Sequence, residues 1–406
     1  MEVLPQHAGF VRYPGDRRFC VKTSAKMIAI EVGLWLSLAL VVYAYAGYPL
    51  ILALIALIRT RPVRKAEITP SVTFVITAYN EESRIDDKLR NTLAIDYPKE
   101  RFEVLVASDC STDKTDAIIT SYRDRGIRLV RVPERKGKEA AQKLAVQVAG
   151  GEILVFSDVA TILPENAVRN IVKNFHDETV GCVSSVDRFI DQDGRISGEG
   201  AYVKYEMFLR SLETRVNSLV GLSGSFFAVR STVCKQTWAE NLQSDFNTVL
   251  NSMRAGLRGV ADEESPGYYK NIADERKEFD RKVRTVLRGI SVFMESLGLV
   301  NPVQYPFFAW QLVSHKLCRW LVPLAMLVAL ITNVILTVAF ERYGSLLVLQ
   351  VTFYTVALSG LYWRSLLRFP AVKLPAFLLL VNASILKAWI RYWSGERLMV
   401  WEPSKR

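Results

Sequence analysis

Histidine and paired cysteine are what this chain has least of. Three histidines (His7, His176, His315) and five cysteines, at 20, 110, 182, 234 and 318 with no Cys-x-x-Cys spacing, offer neither a zinc ligand set nor a disulfide framework. Isolated cysteines fit a reducing compartment, which points to the cytosol for the middle of the chain. Also absent are the Gly-x-Gly-x-x-Gly turn of dinucleotide folds and the Gly-Lys-Ser/Thr phosphate loop. The net charge of +11 comes without a basic helix or an aromatic-basic ribbon, so nucleic acid is not an expected partner. Such a surplus suits the anionic lipids of a membrane face instead.

Apolar sequence is abundant: half of the 406 residues are hydrophobic, and the long runs sit at the two ends. Residues 27–58 are uncharged apart from Glu31, long enough to cross a hydrocarbon core of roughly 30 Å. Arg59, Arg61, Arg64 and Lys65 follow, the basic flank expected on a cytoplasmic side. The first 26 residues carry Arg12, Arg17, Arg18, Lys22 and Lys26, which opposes that orientation. Two readings stand: a genuine basic tail, or a start at Met27. Further spans are expected at 320–340 and 345–363, preceded by an amphipathic, interfacial segment at 290–319 rich in aromatics and cations. Residues 374–390, interrupted by Asn382 and Lys387, either span or lie along the interface, and 391–406 form a tail.

From residue 70 to 289 the pattern is that of a globular α/β domain. Short apolar runs, "SVTFVITA", "FEVLVAS", "IRLVRV" and "EILVFSD", alternate with helical stretches, which predicts a doubly wound, parallel sheet. The runs are nearly continuous in apolar character, as strands covered on both faces are. Each ends in polar residues: "TAYNEE", "SDCSTD", "RKGKEAA" and "SDVAT". In open α/β sheets, ligands bind beyond the carboxyl ends of the strands. Any one such aspartate, taken singly, reads first as a helix N-cap. Four such ends, with a lysine among them, point to a site.

As a set, these segments resemble the membrane-embedded, cellulose-synthase-like branch of the family-2 glycosyltransferases. "ITAYNEE", "SDCSTDKT", "KGKEAAQKLA", "GLSGSFFAVR" and "SDFNTVLNSMRAG" are similar to that family's motifs in order and spacing. The resemblance implies a GT-A, nucleotide-sugar-binding domain flanked by transmembrane helices. It further implies inversion at the sugar carbon, a donor that is commonly a UDP-sugar, and Mg²⁺ or Mn²⁺. It places Ala78, Tyr79 and Glu81 around base and ribose, Asp109 on the nucleobase side, and Lys138 at the diphosphate. Asp158 corresponds to the first aspartate of the family's metal-binding Asp-x-Asp, whose second is Ala160 here, leaving Thr161 or water for the vacant position. Asp245 falls where the family keeps its general base; helix capping is its other reading.

The processive members' Gln-x-x-Arg-Trp is represented by "RKVRT", with Arg281 and Arg284 near the diphosphate and Thr285 in place of tryptophan. The same stretch also reads as a basic amphipathic helix on lipid head groups. The implied function is transfer of a sugar to a glycan or lipid-linked acceptor in exopolysaccharide or cell-envelope glycan synthesis. The setting would be the inner (plasma) membrane, in multi-pass form with a cytoplasmic catalytic domain and other synthesis subunits as partners. A polyprenyl-phosphate sugar synthase and a catalytically silent, nucleotide-binding subunit are the alternatives.

Overall fold

The computed structural model describes residues 17–190, 201–237, 244–270 and 275–396. The expectations for the extreme N-terminus and for the last ten residues fall outside these.

Seven strands form one sheet: β1 (Val72–Ala78), β2 (Phe102–Ser108), β3 (Ile127–Arg131), β4 (Ile153–Asp158), β5 (Val180–Ile190), β6 (Phe226–Arg230) and β7 (Arg258–Lys270), in the order β3-β2-β1-β4-β6-β5-β7. The first four are parallel, as their apolar runs predict, and all seven residues of β1 are buried. Alternate residues feed two cores. Phe74, Ile76, Val104, Val106 and Val155 pack on one face, Val75, Leu105, Leu154 and Phe156 on the other.

Beyond β4 the sheet departs from the all-parallel expectation. β6 pairs antiparallel with both β4 and β5, so the sheet is mixed. Phe156 and Phe227 are register partners whose rings stack at 4.8 Å, a contact worth about 1 kcal/mol beyond its buried area. Because β6 begins where β4 ends, the loop 221–225 is delivered to the carboxyl end of β4, where Asp158 N donates to Ser225 O at 3.0 Å. The reversal therefore has a positional consequence that four parallel strands alone lack.

The chain divides into two units, residues 1–42 with 324–376 and residues 43–323 with 377–406. Among the described residues, four helical segments are long and apolar enough to cross a membrane: Ala25–Ile58, Pro306–Ala339, Glu341–Tyr362 and Pro370–Trp393. In the smaller unit Leu34, Ala329, Leu336 and Tyr343 pack together, and Glu31 pairs with Arg342 at 3.2 Å. The segment expected to be interfacial at 290–319 is divided differently. Helix Glu275–Met294 covers its start, and the apolar helix begins already at Pro306, a residue suited to a first helical turn. The polar groups that gave 306–319 its interfacial look are engaged within the larger unit. Gln311 meets Asn217 at 3.0 Å, Ser314 meets Tyr43 at 2.7 Å, His315 meets Glu213 at 2.6 Å and Arg319 meets Glu206 at 2.5 Å. Both Tyr43–Gly47 and Val313–Cys318 are π-helical turns, a local form concentrated at functional places.

Candidate active site

The ends of β1, β2 and β4 lie side by side: Ala78 is in register with Ser108, and Thr77 with Asp158. Sheet order reverses between β1 and β4, which puts the crevice above these ends. After β1 the chain turns at Asn80, in the left-handed region (φ 51°), with its side chain bridging to Thr112. Tyr79 lies under the Arg135 guanidinium, 4.0 Å from the ring centroid. Glu81 is buried against Arg84 at 2.5 Å. Burial raises its pKa, and Arg84 opposes the rise.

Asp109 is fully buried, and its carboxylate accepts from the backbone N–H groups of Lys136 and Gly137 at 3.0 Å. It thereby ties the end of β2 to the loop that opens helix Lys138–Val148. Gly137 has φ 99°, a conformation that favours glycine, and it sets the direction in which that helix starts. The first helical residue, Lys138, places its ammonium 2.6 Å from Asp158 Oδ1 and 3.3 Å from the Gly224 carbonyl. Burial works against that charge, but Asp158, then Asp245 and Glu139, outweigh it and raise the pKa, so Lys138 is a cation in the folded protein.

Asp245 lies in the first turn of helix Ser244–Arg254, where the helix dipole favours an anion. Burial raises its pKa, while Lys138, the local backbone N–H groups and Lys316 oppose the rise. A side chain at position 224 would put its Cβ 2.9 Å from Asp245 Oδ2, so glycine there is a condition for the carboxylate's place. Asp109, Lys138, Asp158 and Asp245, far apart in sequence, are thus joined through loops 135–137 and 221–225. Arg281 and Arg284 lie one to two turns before Arg288 on helix Glu275–Met294, at spacings that share one face. Arg288 meets Glu139 at 3.4 Å, which ties this helix to the one that carries Lys138. Thr285 is exposed.

Two further groups were missed in the sequence. Lys88 is buried and donates to Ser157 Oγ and Thr161 O, both at 2.7 Å, directly beneath the end of β4. Burial lowers its pKa to about 7, with Asp158 opposing. A signal did exist: Lys88 falls three residues after Ile85 and one before Leu89, on the buried stripe of its helix. Asp187 of β5 accepts from the Ser223 hydroxyl and from Ser225 Oγ at 2.8 Å, bracing the 221–225 loop. No motif marked it.

For a divalent ion the chain supplies Asp158 and, three residues on, the buried Thr161 hydroxyl, which has no hydrogen-bond partner among the described residues. No group of three His, Cys, Asp or Glu side chains converges among those residues. That donor set fits an ion held chiefly by substrate phosphates and water, as Mg²⁺ often is. Bound there, the ion would offset diphosphate charge.

Residues 73–238 match the family model "Glycosyl transferase family 2". The poly-beta-1,6-N-acetyl-D-glucosamine synthase of Staphylococcus aureus (strain COL) is 28% identical over 159 residues, 37% of this chain and 38% of that one. The synthase of the same name from Staphylococcus epidermidis is 24% identical over 170 residues, 40% of each chain. The chain thus matches about two fifths of the length of these curated relatives. Among solved structures, the mannosyltransferase PcManGT from Pyrobaculum calidifontis, in complex with GDP-Man and Mn²⁺, has a TM-score of 0.70 at 21% identity, covering 90% of this chain and 100% of that one. At that identity the likeness is one of fold, the GT-A arrangement that the family resemblance implies.

Proposed function

With a family-2 glycosyltransferase domain as the premise, we propose that this chain is a membrane-bound inverting glycosyltransferase. It moves a sugar from a nucleotide-sugar to a glycan or lipid-linked acceptor in exopolysaccharide or cell-envelope glycan synthesis. The observation that carries this reading is the Lys138 ammonium, 2.6 Å from Asp158 and close enough to Asp245 to stabilise its anion. A donor diphosphate needs a cation beside the carboxylate that receives its metal, and inversion needs a base on the opposite side of the reacting carbon. Lys138 meets the first need and Asp245 the second.

In the reaction, Asp245 takes the proton of the acceptor hydroxyl as its oxygen bonds to the sugar carbon. The bond from that carbon to the diphosphate breaks, and the electron pair leaves with the diphosphate beside Lys138. Asp158, with Thr161, would hold Mg²⁺ or Mn²⁺, which supplies countercharge to the same phosphates. Tyr79 and Asp109 line the base side, Asp109 by fixing the 136–137 backbone. Ala78 and Glu81 complete that end, and Arg281 and Arg284 supply cations on the flank of helix Lys138–Val148. Four apolar helices and the basic cluster after Ile58 support a multi-pass plasma-membrane protein with its catalytic domain in the cytoplasm.

The test uses full-length protein in detergent with a panel of nucleotide-sugars, each with and without Mn²⁺. One donor should be hydrolysed or transferred. Asp245→Asn should bind that donor normally and turn over slower by about 10²-fold or more. Asp158→Ala should lose Mn²⁺-dependent nucleotide binding in calorimetry. Full turnover by the Asp245 variant would remove the base assignment.

A further inference from the structure

Asp245 feels a second cation besides Lys138, one with a different origin. Lys316 comes from the π-turn Val313–Cys318 at the head of an apolar helix. Its ammonium sits 5.3 Å from the ring centroid of Phe246, the neighbour of Asp245. It also lies 3.1 Å from where a Cβ on Gly221 would stand, so the 221–225 loop has one glycine for the base and another for this lysine. Glu206 and Glu213 attract it electrostatically without reaching ion-pair distance, while Arg210, on helix Ala201–Val216, repels it and touches Ser184 Oγ at 3.4 Å.

Neighbouring cations in this unit have carboxylates: Lys138 has Asp158 at 2.6 Å, Arg319 has Glu206 at 2.5 Å, and Arg288 has Glu139 at 3.4 Å. Among the described residues, Arg210 and Lys316 have no carboxylate at ion-pair distance. Two adjacent half-buried cations are costly until an anion joins them. The leaving diphosphate is already served by Lys138. Building on the glycosyltransferase reading, we propose that the acceptor carries a phosphate group, held by Arg210 and Lys316 while its hydroxyl meets Asp245. A hydroxyl is the nucleophile because only it has a proton that Asp245 must remove. A phosphate oxygen needs no base and would be repelled by one. The new bond, the broken bond and the proton are those of the transfer above, and the phosphate is unchanged.

The experiment measures binding to full-length protein in maltoside micelles, with saturating nucleoside diphosphate of whichever donor is hydrolysed. The probes are inorganic phosphate, farnesyl phosphate and farnesol. Both phosphates should bind and compete, farnesol should not, and Lys316→Met and Arg210→Met should each weaken binding about tenfold or more, with Lys316→Arg retaining it. Farnesyl phosphate binding at least about tenfold tighter than inorganic phosphate identifies a lipid-borne acceptor; equal affinity identifies a soluble one. Farnesol binding as well as its phosphate, or unchanged affinity in both Met variants that remain folded by thermal denaturation, overturns the proposal. Donor hydrolysis in the same preparation keeps the two readings apart. Hydrolysis with a phosphate-blind protein sinks this inference alone, and phosphate binding without hydrolysis of any donor sinks the enzymatic reading instead.

Discussion

At the residue scale, the base role proposed for Asp245 requires an anion in a place that resists anions. Burial raises its pKa above the ordinary 3.8, and the base form exists only above the raised value. The rate should therefore fall as pH drops through that value, giving kcat an acid limb on the high side of an ordinary aspartate, measurable in a pH–rate profile on a fixed donor. Lys138 opposes the rise, so Lys138→Met should move the limb to still higher pH. An acid limb at or below 3.8 would argue that the titrating group is elsewhere. Gly224 offers a cleaner probe. A methyl there would sit 2.9 Å from Asp245 Oδ2 and push the carboxylate aside without touching the sheet. Gly224→Ala should lower kcat by about 10²-fold, the usual cost of misplacing a reacting group by an ångström. Its thermal midpoint should stay near that of the parent.

At the scale of elements, the sheet is tied to the segment that precedes it through one buried guanidinium. Arg258, at the start of β7, donates to Asp177 at 3.1 Å and to the carbonyls of Arg61 and Pro62 at 2.8 and 3.1 Å. Asp177 also accepts from Thr179, and these partners outweigh burial to hold its pKa at about 2. Its folded value lies below the ordinary 3.8, so its contribution to stability is complete above that pH and is lost as pH falls through about 2. Asp177→Ala leaves the guanidinium buried without its counter-ion and should cost about 3–5 kcal/mol in reversible unfolding. The variant should also show less loss of stability than the parent between pH 4 and 2. Equal stabilities at neutral pH would show that the carbonyls alone satisfy Arg258.

At the scale of the whole molecule, the question is how long a product the enzyme releases. Thr285, which the family resemblance aligns with the tryptophan of processive members, is exposed. An aromatic platform under a sugar is worth about 1 kcal/mol, roughly fivefold in residence time. Tyr268 is one aromatic at this end of the sheet, its backbone bridged at 2.8 Å to Ile162, four residues after Asp158. Size analysis of products made from excess donor and a short acceptor should give additions of one or a few sugars. Long polymer from the purified chain would contradict this, and Tyr268→Ala would then test whether that ring had taken over the platform.

The sequence by itself determined what is local. Short, nearly continuous apolar runs specify strands, polar residues just after them specify turns, and long uncharged stretches specify helices that can cross a membrane. That is enough to read the four parallel strands and their polar ends; Lys138, Asp158 and Asp245 are grouped into one expected site by the family resemblance. Tertiary structure alone decided the rest. The antiparallel entry of β6 depends on pairing with residues about seventy positions earlier, which no window of sequence contains. Lys88 lies on the apolar stripe of its helix, but only the fold shows that Ser157 and Thr161 accept from its ammonium. Asp187 and Lys316 become visible only when the 221–225 loop meets both of them and Asp245. Charge state and proximity follow from burial and long-range packing, and these are properties of the folded chain, not of neighbours along it.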